Sequence, residues 1–321
     1  MMIQKTKTKV FFKRLKNQWQ LQVYAFMGIA FLIVFCYVPM SGLIIAFKDW
    51  KVSTGYAGYM TSDWTSNHGM KYFIQLFSDP NFAMLLKNTL YLSLLKLIFS
   101  FPAPIIFALA LNEVNKIGFK RVVQTVSYLP HFISWVVVYG LIFTFLNTST
   151  GLVNNILLKT GKVIEPVNFL ANAKYYWQIA IISDVWKELG WWSIIFLAAI
   201  TCIDPSLYEA AKVDGANRIQ SIFFITLPAI KGTISIMLIL SLGALMAGGM
   251  GGSNFDQAYL MSNSLNYSKS AVLPYYVYQT GLLNYRYSFA TAVGLFQSFI
   301  SLFLVLTSNY VSRKISGYGL F

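Results

Sequence analysis

Six apolar runs, each long enough to cross a bilayer as a helix, dominate this sequence and leave little else to fold. They fall near residues 24–47, 85–111, 122–146, 176–199, 229–247 and 289–311. A helix rises about 1.5 Å per residue and the hydrocarbon core is about 30 Å thick, so roughly 20 apolar residues suffice to span. Only 11% of the 321 residues are charged, against about 25% in soluble chains, and a water-facing surface cannot be built from so few. The fold class that follows is all-α and membrane-embedded, with about six transmembrane helices.

The net charge of +14 reads as topology and not as nucleic-acid binding, because the basic residues sit in short clusters between apolar runs. Lys5, Lys7, Lys9, Lys13, Arg14 and Lys16 precede the first run. That run is too long for a signal peptide and lacks a small-residue cleavage site, so it reads as a retained helix. Cytoplasmic flanks keep positive charge. This rule places residues 1–22, the turn carrying Lys116, Lys120 and Arg121, the loop 203–228 and the tail 312–321 inside, with both termini cytoplasmic. Stretches 48–80, 147–174 and 253–286 are then external, and 23–311 form the transmembrane domain. Pro102, Pro104 and Pro130 lie within runs and predict kinks that neighbouring helices tolerate. Cys36 and Cys202 read as inert packing residues.

The most specific segment is the loop 203–228. Asp204 is placed to cap a helix opened by Pro205, and Gly215 offers the left-handed conformation that closes it. A second short helix follows from Arg218 to Phe224, with Pro228 ending it and starting the fifth run. Ala210 and Ala211 leave one face of the first helix nearly flat beside Glu209, a surface suited to a groove of another protein. From physics alone, an ordinary amphipathic connector fits equally well.

Glu209-Ala210-Ala211, Gly215, Ile225 and Leu227-Pro228 fit the EAA loop of ABC importer permeases at every position, so the segment resembles the helical element that receives work from a partner ATPase. The likeness extends from about Asn88 to Phe321. Asn88-Thr89-Leu90, Asn112-Glu113, Trp186-Lys187-Glu188-Leu189-Gly190-Trp191, Ile203-Asp204-Pro205 and Gly319-Leu320-Phe321 resemble the LplB type of oligosaccharide-importer permease, which is similar to the first permease of alginate-type importers. In that group the tail more often ends in Trp where this chain has Phe321, and Glu is common where this chain carries Asp256. The resemblance implies a bacterial cell-membrane protein that pairs with a second, different permease, two ATPase subunits and an extracytoplasmic solute-binding protein, and that moves an oligosaccharide by alternating access. No phosphate-loop motif is present, so ATP and magnesium belong to the partner subunits, no cofactor is expected here, and the chain is not an enzyme. His68 and His131 stand apart in sequence from carboxylates and cysteines, giving a metal or nucleophile site little support. The run 248–252 is rich in glycine but sits at the outer end of the fifth span. An ion-coupled carrier is the rival reading; it requires inverted repeats, which the sequence does not display. An ABC permease for a non-sugar solute is the other.

Ionisable residues inside a span are costly and face a wet path or one another. Asp184, Lys187, Glu188 and Trp191 recur at helical spacing on the fourth run, where Asp184 and Lys187 can neutralise each other. Ser93, Lys96 and Ser100 form a polar stripe on the second run, and Thr291, Gly294, Ser298 and Ser301, with Gln297 alongside, mark the sixth. One reading makes Lys96, Asp184, Lys187, Glu188, Trp191 and Gln297 the lining of a translocation path. The plainer reading gives the sixth-run stripe to tight helix packing, Lys96 to snorkelling towards the outer interface, and the fourth-run charges to a structural network. Trp191, Trp192, Tyr275, Tyr276 and Tyr278 offer rings on which sugar C–H faces can pack, and an interfacial aromatic belt explains the tyrosines equally well.

Overall fold

A computed structural model of the chain describes residues 17–55 and 57–321; the basic cluster Lys5 to Lys16 lies outside them. The architecture is helical throughout, and the sole β feature among the described residues is an isolated antiparallel bridge between Lys48 and Trp64. Among the described residues, three spans are long and apolar enough to cross a membrane: α1 (Trp19–Phe47), α2 (Phe82–Asn112) and α11 (Tyr287–Ser316). Elsewhere successive helices meet in pairs at sharp bends. α3 (Ile117–Phe132) meets α4 (Trp135–Leu146) at 102°, α5 (Ala173–Thr201) meets α6 (Pro205–Val213) at 70°, and α7 (Arg218–Ala229) meets α8 (Lys231–Gly243) at 63°. Two short helices, α9 (Asn254–Met261) and α10 (Leu273–Tyr278), fill the connection to α11.

The third run is therefore a broken helix and not one straight rod. Ile133 and Ser134 adopt extended backbone, and the Ser134 hydroxyl accepts from the Val137 N–H to start α4. Pro130 sits one turn before the break and is carried inside α3. In α2 the helical run is interrupted at Ser100–Phe101, immediately before Pro102. The fifth run is also shorter than expected: α8 stops at Gly243, and two single 3-10 turns carry the chain through the glycine run. Cys36 and Cys202 are both exposed, not packed inside.

The bundle's core is α5 held against α2 and α3. Tyr176 and Ala180, near the start of α5, pack with Leu92, Ala258, Met261 and Val272. Phe196, Leu197 and Ile200, near its end, pack with Phe101, Ile105, Ala108, Leu111, Ile230 and Met237. Leu85, Met246, Leu273, Phe289 and Val293 form a further cluster between α2, α10 and α11. α1 stands apart: only 6% of its most apolar stretch is buried, and it meets the bundle mainly through Ser41–Phe47 against α11. The segment after it folds over the start of α11, where Trp50 and Tyr72 meet Tyr287 and Phe289 edge-on. Asp49 ties this cover together, accepting from Lys71 Nζ at 2.8 Å and Tyr72 Oη at 2.6 Å. Those two bonds hold its carboxyl below the usual carboxylate range, while burial and then the Asp49 bond push the Tyr72 hydroxyl up to about 12.

Gly190 marks where α5 crosses α3 most closely. A Cβ there would lie inside van der Waals contact of the Ser127 backbone carbonyl, and backbone cannot move aside as a side chain can. Gly190→Leu is expected to destabilise the protein by about 1–3 kcal/mol or more, read as a lower thermal midpoint in detergent. Gly294→Ala, which points into open space, is the matched control and is expected to leave that midpoint unchanged. Equal midpoints for the two variants would contradict the close crossing.

Candidate functional site: a buried charge cluster and an exposed helical loop

Between the two apolar zones along α5 lies a polar layer. Asp184, Lys187 and Glu188 are each buried on α5, and Lys96 is buried opposite them on α2. A lone charge in such a place is expensive, and the surrounding elements supply partners. Lys96 Nζ donates to Ser253 Oγ at 2.6 Å and Asn254 Oδ1 at 2.9 Å. Ser253 Oγ in turn donates to Asp184 Oδ1, and Ser100 Oγ donates to Asp184 Oδ2 at 2.8 Å. The ammonium and the Asp184 carboxylate stand 3.7 Å apart, so the serine hydroxyl relays the contact. Asn254 Nδ2 extends it to Ser93 Oγ at 2.7 Å.

The other half of the layer joins α5 to α3. Glu188 Oε2 lies 2.8 Å from His131 Nδ1, and Glu188 Oε1 lies 3.6 Å from Lys187 Nζ. Lys187 Nζ donates to the His131 carbonyl, which is free because α3 ends one residue later. The His131 ring stacks on Trp191 with centroids 4.4 Å apart and planes 2° from parallel, and Lys187 sits 5.7 Å over the Trp135 ring. Two ammonium groups and two carboxylates balance across the layer.

Several sequence expectations change here. Asp184 pairs with Lys96 and not with its helical neighbour Lys187. Lys96 does not snorkel; it is 1% exposed. His131, which stands alone in the sequence, is the partner of Glu188 across 57 residues. The glycine run, which follows the end of α8, folds against this layer: Gly251 sits against Asp184 and Glu188, where a Cβ would already be tight at 3.2 Å from each. It closes one wall of a void of about 10 Å³ beside Lys96, Asp184 and Glu188, about the room one water needs. Sequence reading missed Ser253, Asn254 and His131 because none has a local pattern.

Gln297 lies elsewhere. It lines two open grooves on α11, of about 390 and 600 Å³, that share Pro274 and Ser298, and its Nε2 has no partner among the described residues. Thr291, Gly294, Ser298 and Ser301 also face these grooves. Within this chain the small-residue stripe is thus open, and α11 meets α8 through Val305 against Gly243.

The loop after α5 is two helices at the far end of the bundle. Asp204 Oδ1 accepts from the Ser206 N–H at 2.9 Å, and the Ser206 backbone and hydroxyl hold its carboxyl below the usual range. Gly215 closes α6 with φ +80°. Asn217 and Gln220 then form a reciprocal cap on α7. Tyr208 Oη meets Thr226 Oγ1 at 2.9 Å and fixes the angle between the helices. α6 buries no residue; Glu209 and Ala210 are exposed and Ala211 is half-buried. Ile225 and Leu227 are half-buried, Leu227 packing on the core near Ile230. Pro228 does not end the second helix. A π turn over Ile222–Thr226 precedes it, so the helix runs on to Ala229 and breaks at Ile230. The wider turn accommodates a residue that can neither donate nor fit the standard ladder.

Lys96→Met leaves Asp184 buried without its cation and is expected to cost about 3–5 kcal/mol. Lys96→Met with Asp184→Leu removes both charges and is expected to recover most of that loss. Thermal midpoints of the purified variants measure both; an undisturbed single variant would mean that the relay carries no structural load.

Residues 100–317 match the family described as binding-protein-dependent transport system inner membrane component. Protein LplB of Bacillus subtilis strain 168 is 42% identical over 95% of this chain and 92% of its own length. The polygalacturonan/rhamnogalacturonan transport system permease protein YteP of the same organism is 42% identical over 99% of this chain and 95% of its own. A crystal structure of a bacterial ABC transporter involved in the import of the acidic polysaccharide alginate matches with a TM-score of 0.84 at 41% identity, covering 95% of this chain and 99% of that one. A second alginate ABC transporter structure, in complex with an alginate pentasaccharide-bound periplasmic protein, matches at 0.83 and 40%, covering 96% and 99%. Agreement of this extent in sequence and in fold settles the membership: the chain belongs to the family of inner membrane components of binding-protein-dependent transport systems.

Proposed function

We propose that this chain is the transmembrane permease of a bacterial ATP-driven importer and carries oligosaccharides inward by alternating access. The observation that carries the reading is the exposed helical pair α6 and α7, which presents Glu209 and Ala210 on a helix with no buried residue, its two helices tied together by Tyr208 and Thr226 and joined to the bundle through Leu227. Such an element is suited to being gripped by another protein. Two ATPase subunits are the partners, one of them docked here, and ATP and magnesium reside on them. A second, different permease completes the path, and an extracytoplasmic binding protein delivers the sugar at the opposite end. Both termini then lie in the cytoplasm, where the basic clusters favour them.

In this reading the path passes Trp191, Lys187 and Glu188 on the half-open α3 side, and Lys96 with Asp184 braces it from within. Gln297 belongs to a separate stretch along α11. The names of the relatives support a complex, uronate-containing oligosaccharide as the first candidate, since YteP is named for polygalacturonan and rhamnogalacturonan and the structural match for alginate.

Uptake by the complete importer reconstituted in proteoliposomes tests the substrate. The panel comprises galacturonate, rhamnose–galacturonate and arabinose oligosaccharides, amino acids and short peptides. Oligosaccharide uptake alone is expected; stimulation only by amino acids or peptides would refute the sugar assignment and leave the permease assignment standing. Coupling is tested in the same vesicles. Gly215→Val obstructs a backbone held at positive φ and Glu209→Ala removes the exposed charge on α6. Together they are expected to lower uptake at least tenfold while the binding protein still binds sugar. Normal uptake with normal substrate-stimulated ATP hydrolysis would remove the loop from the mechanism.

A further inference from the structure

The connection between α8 and α11 carries a surface that neither the charge cluster nor the loop uses. On α9, Asn254, Gln257, Ala258 and Met261 turn inward. Asn254 holds Lys96, and Gln257 Nε2 donates to the Ala180 carbonyl at 2.8 Å. The helical period then places Phe255 and Tyr259 together on the other side, with rings 5.8 Å apart and 19° from parallel. α10 adds two tyrosines one turn apart. Tyr278 meets Phe255 and Tyr259 edge-on at 5.5 and 5.4 Å, and Tyr275 lies 6.5 Å from Tyr278 at 15°. Tyr259 is 50% exposed, and the other three rings are half-buried. Four aromatic rings are thus fixed by mutual contact, with backbone anchored to the polar layer behind them.

The position of this wall is as informative as its make-up. α9 lies beside Ala180 and Asp184 in the first half of α5, whereas α6 follows the last residues of α5. The wall therefore sits towards the end of the bundle away from the exposed loop. Tyr278 also stands on the rim of the groove of about 600 Å³ that Gln297 lines, and the Gln297 amide donor has no partner among the described residues. Asp256, half-buried, lies between Phe255 and Tyr259 in the sequence of α9. An interfacial belt accounts for rings at a lipid boundary, but lipid tails gain nothing from an unpaired amide or a carboxylate. A pyranose ring presents C–H faces to aromatic rings and hydroxyls to polar groups in a cleft, and the wall with its groove offers both.

We infer that Phe255, Tyr259, Tyr275 and Tyr278 form an aromatic wall that takes the sugar rings of the incoming oligosaccharide, beside the groove that Gln297 lines. This rests on the oligosaccharide reading above. The test uses the complete importer in proteoliposomes, a saturating concentration of sugar-loaded binding protein and the same oligosaccharide panel. With Tyr259→Ala plus Tyr278→Ala, maximal uptake is expected to fall roughly tenfold, equivalent to about 1.4 kcal/mol, and the ratio of sugar moved to ATP hydrolysed is expected to fall with it. Tyr259→Phe plus Tyr278→Phe keeps the rings and is expected to stay within about twofold of the parent. Tyr259→Ala alone, at the most exposed ring, and Gln297→Leu are expected to fall between the two. Parent uptake of oligosaccharides with unchanged uptake in the alanine variants would overturn the wall. Loss of the second permease on co-purification of Tyr259→Ala would overturn it too, by making the rings a subunit interface. Failure of the parent importer to take up any oligosaccharide would instead overturn the substrate assignment on which the wall depends.

Discussion

A lysine ammonium that is 1% exposed inside an apolar bundle dictates much of what surrounds it. Removing such a charge from water is costly, and attraction to one carboxylate offsets the cost only when further hydrogen bonds complete the shell. Lys96 and Asp184 are completed by Ser100 from the interruption in α2, by Ser253 just before α9 and by Asn254 at its first position. The partners thus come from places where regular helix stops. Irregular backbone at membrane depth is tolerated where protein buries it, and here the irregular segments deliver the polar groups that the charges require. The same holds for the His131 carbonyl, released by the end of α3 and taken by Lys187.

This explains which features could be read from sequence and which could not. The six apolar runs are local facts, and so are two signals of the loop: Asp204 before Pro205, and Gly215. Both adopt the conformations their chemistry favours. The charge pairing is not local. Lys96 meets side chains 157 and 158 residues away, and helical spacing alone paired Asp184 with the wrong lysine. Pro228 was misjudged for a related reason. A proline strongly suggests a helix end, but one π turn before it absorbs the misfit and moves the break to Ile230.

The stripe on α11 shows the limit of composition. Thr291, Gly294, Ser298 and Ser301 have the size and spacing of a packing seam. Small residues, however, permit two outcomes, close approach of a helix or open space. The neighbours decide: α8 meets α11 at Val305 instead, and the stripe is left facing grooves that end at Pro274 and Tyr278.

α5 runs unbroken for 29 residues, from beside the aromatic wall to the start of the exposed loop, so a force on α6 reaches the charge layer through one rigid rod. The layer ties that rod to its neighbours in two ways that differ in the cost of opening. Rotation of α5 against α2 and α9 must break the Lys96, Ser253 and Asp184 relay, whose ion partners are 1% and 2% exposed; bulk solvent does not reach them, so the penalty approaches that of unpaired buried charge. Rotation against α3 must break the contacts of Lys187 and Glu188 with His131, whose side chain is 27% exposed. Water entering beside His131 can take over those bonds, and the stacked ring on Trp191 can slide without leaving a charge bare. The α3 contact is therefore the less costly of the two to open at His131, and the α2 contact the more costly.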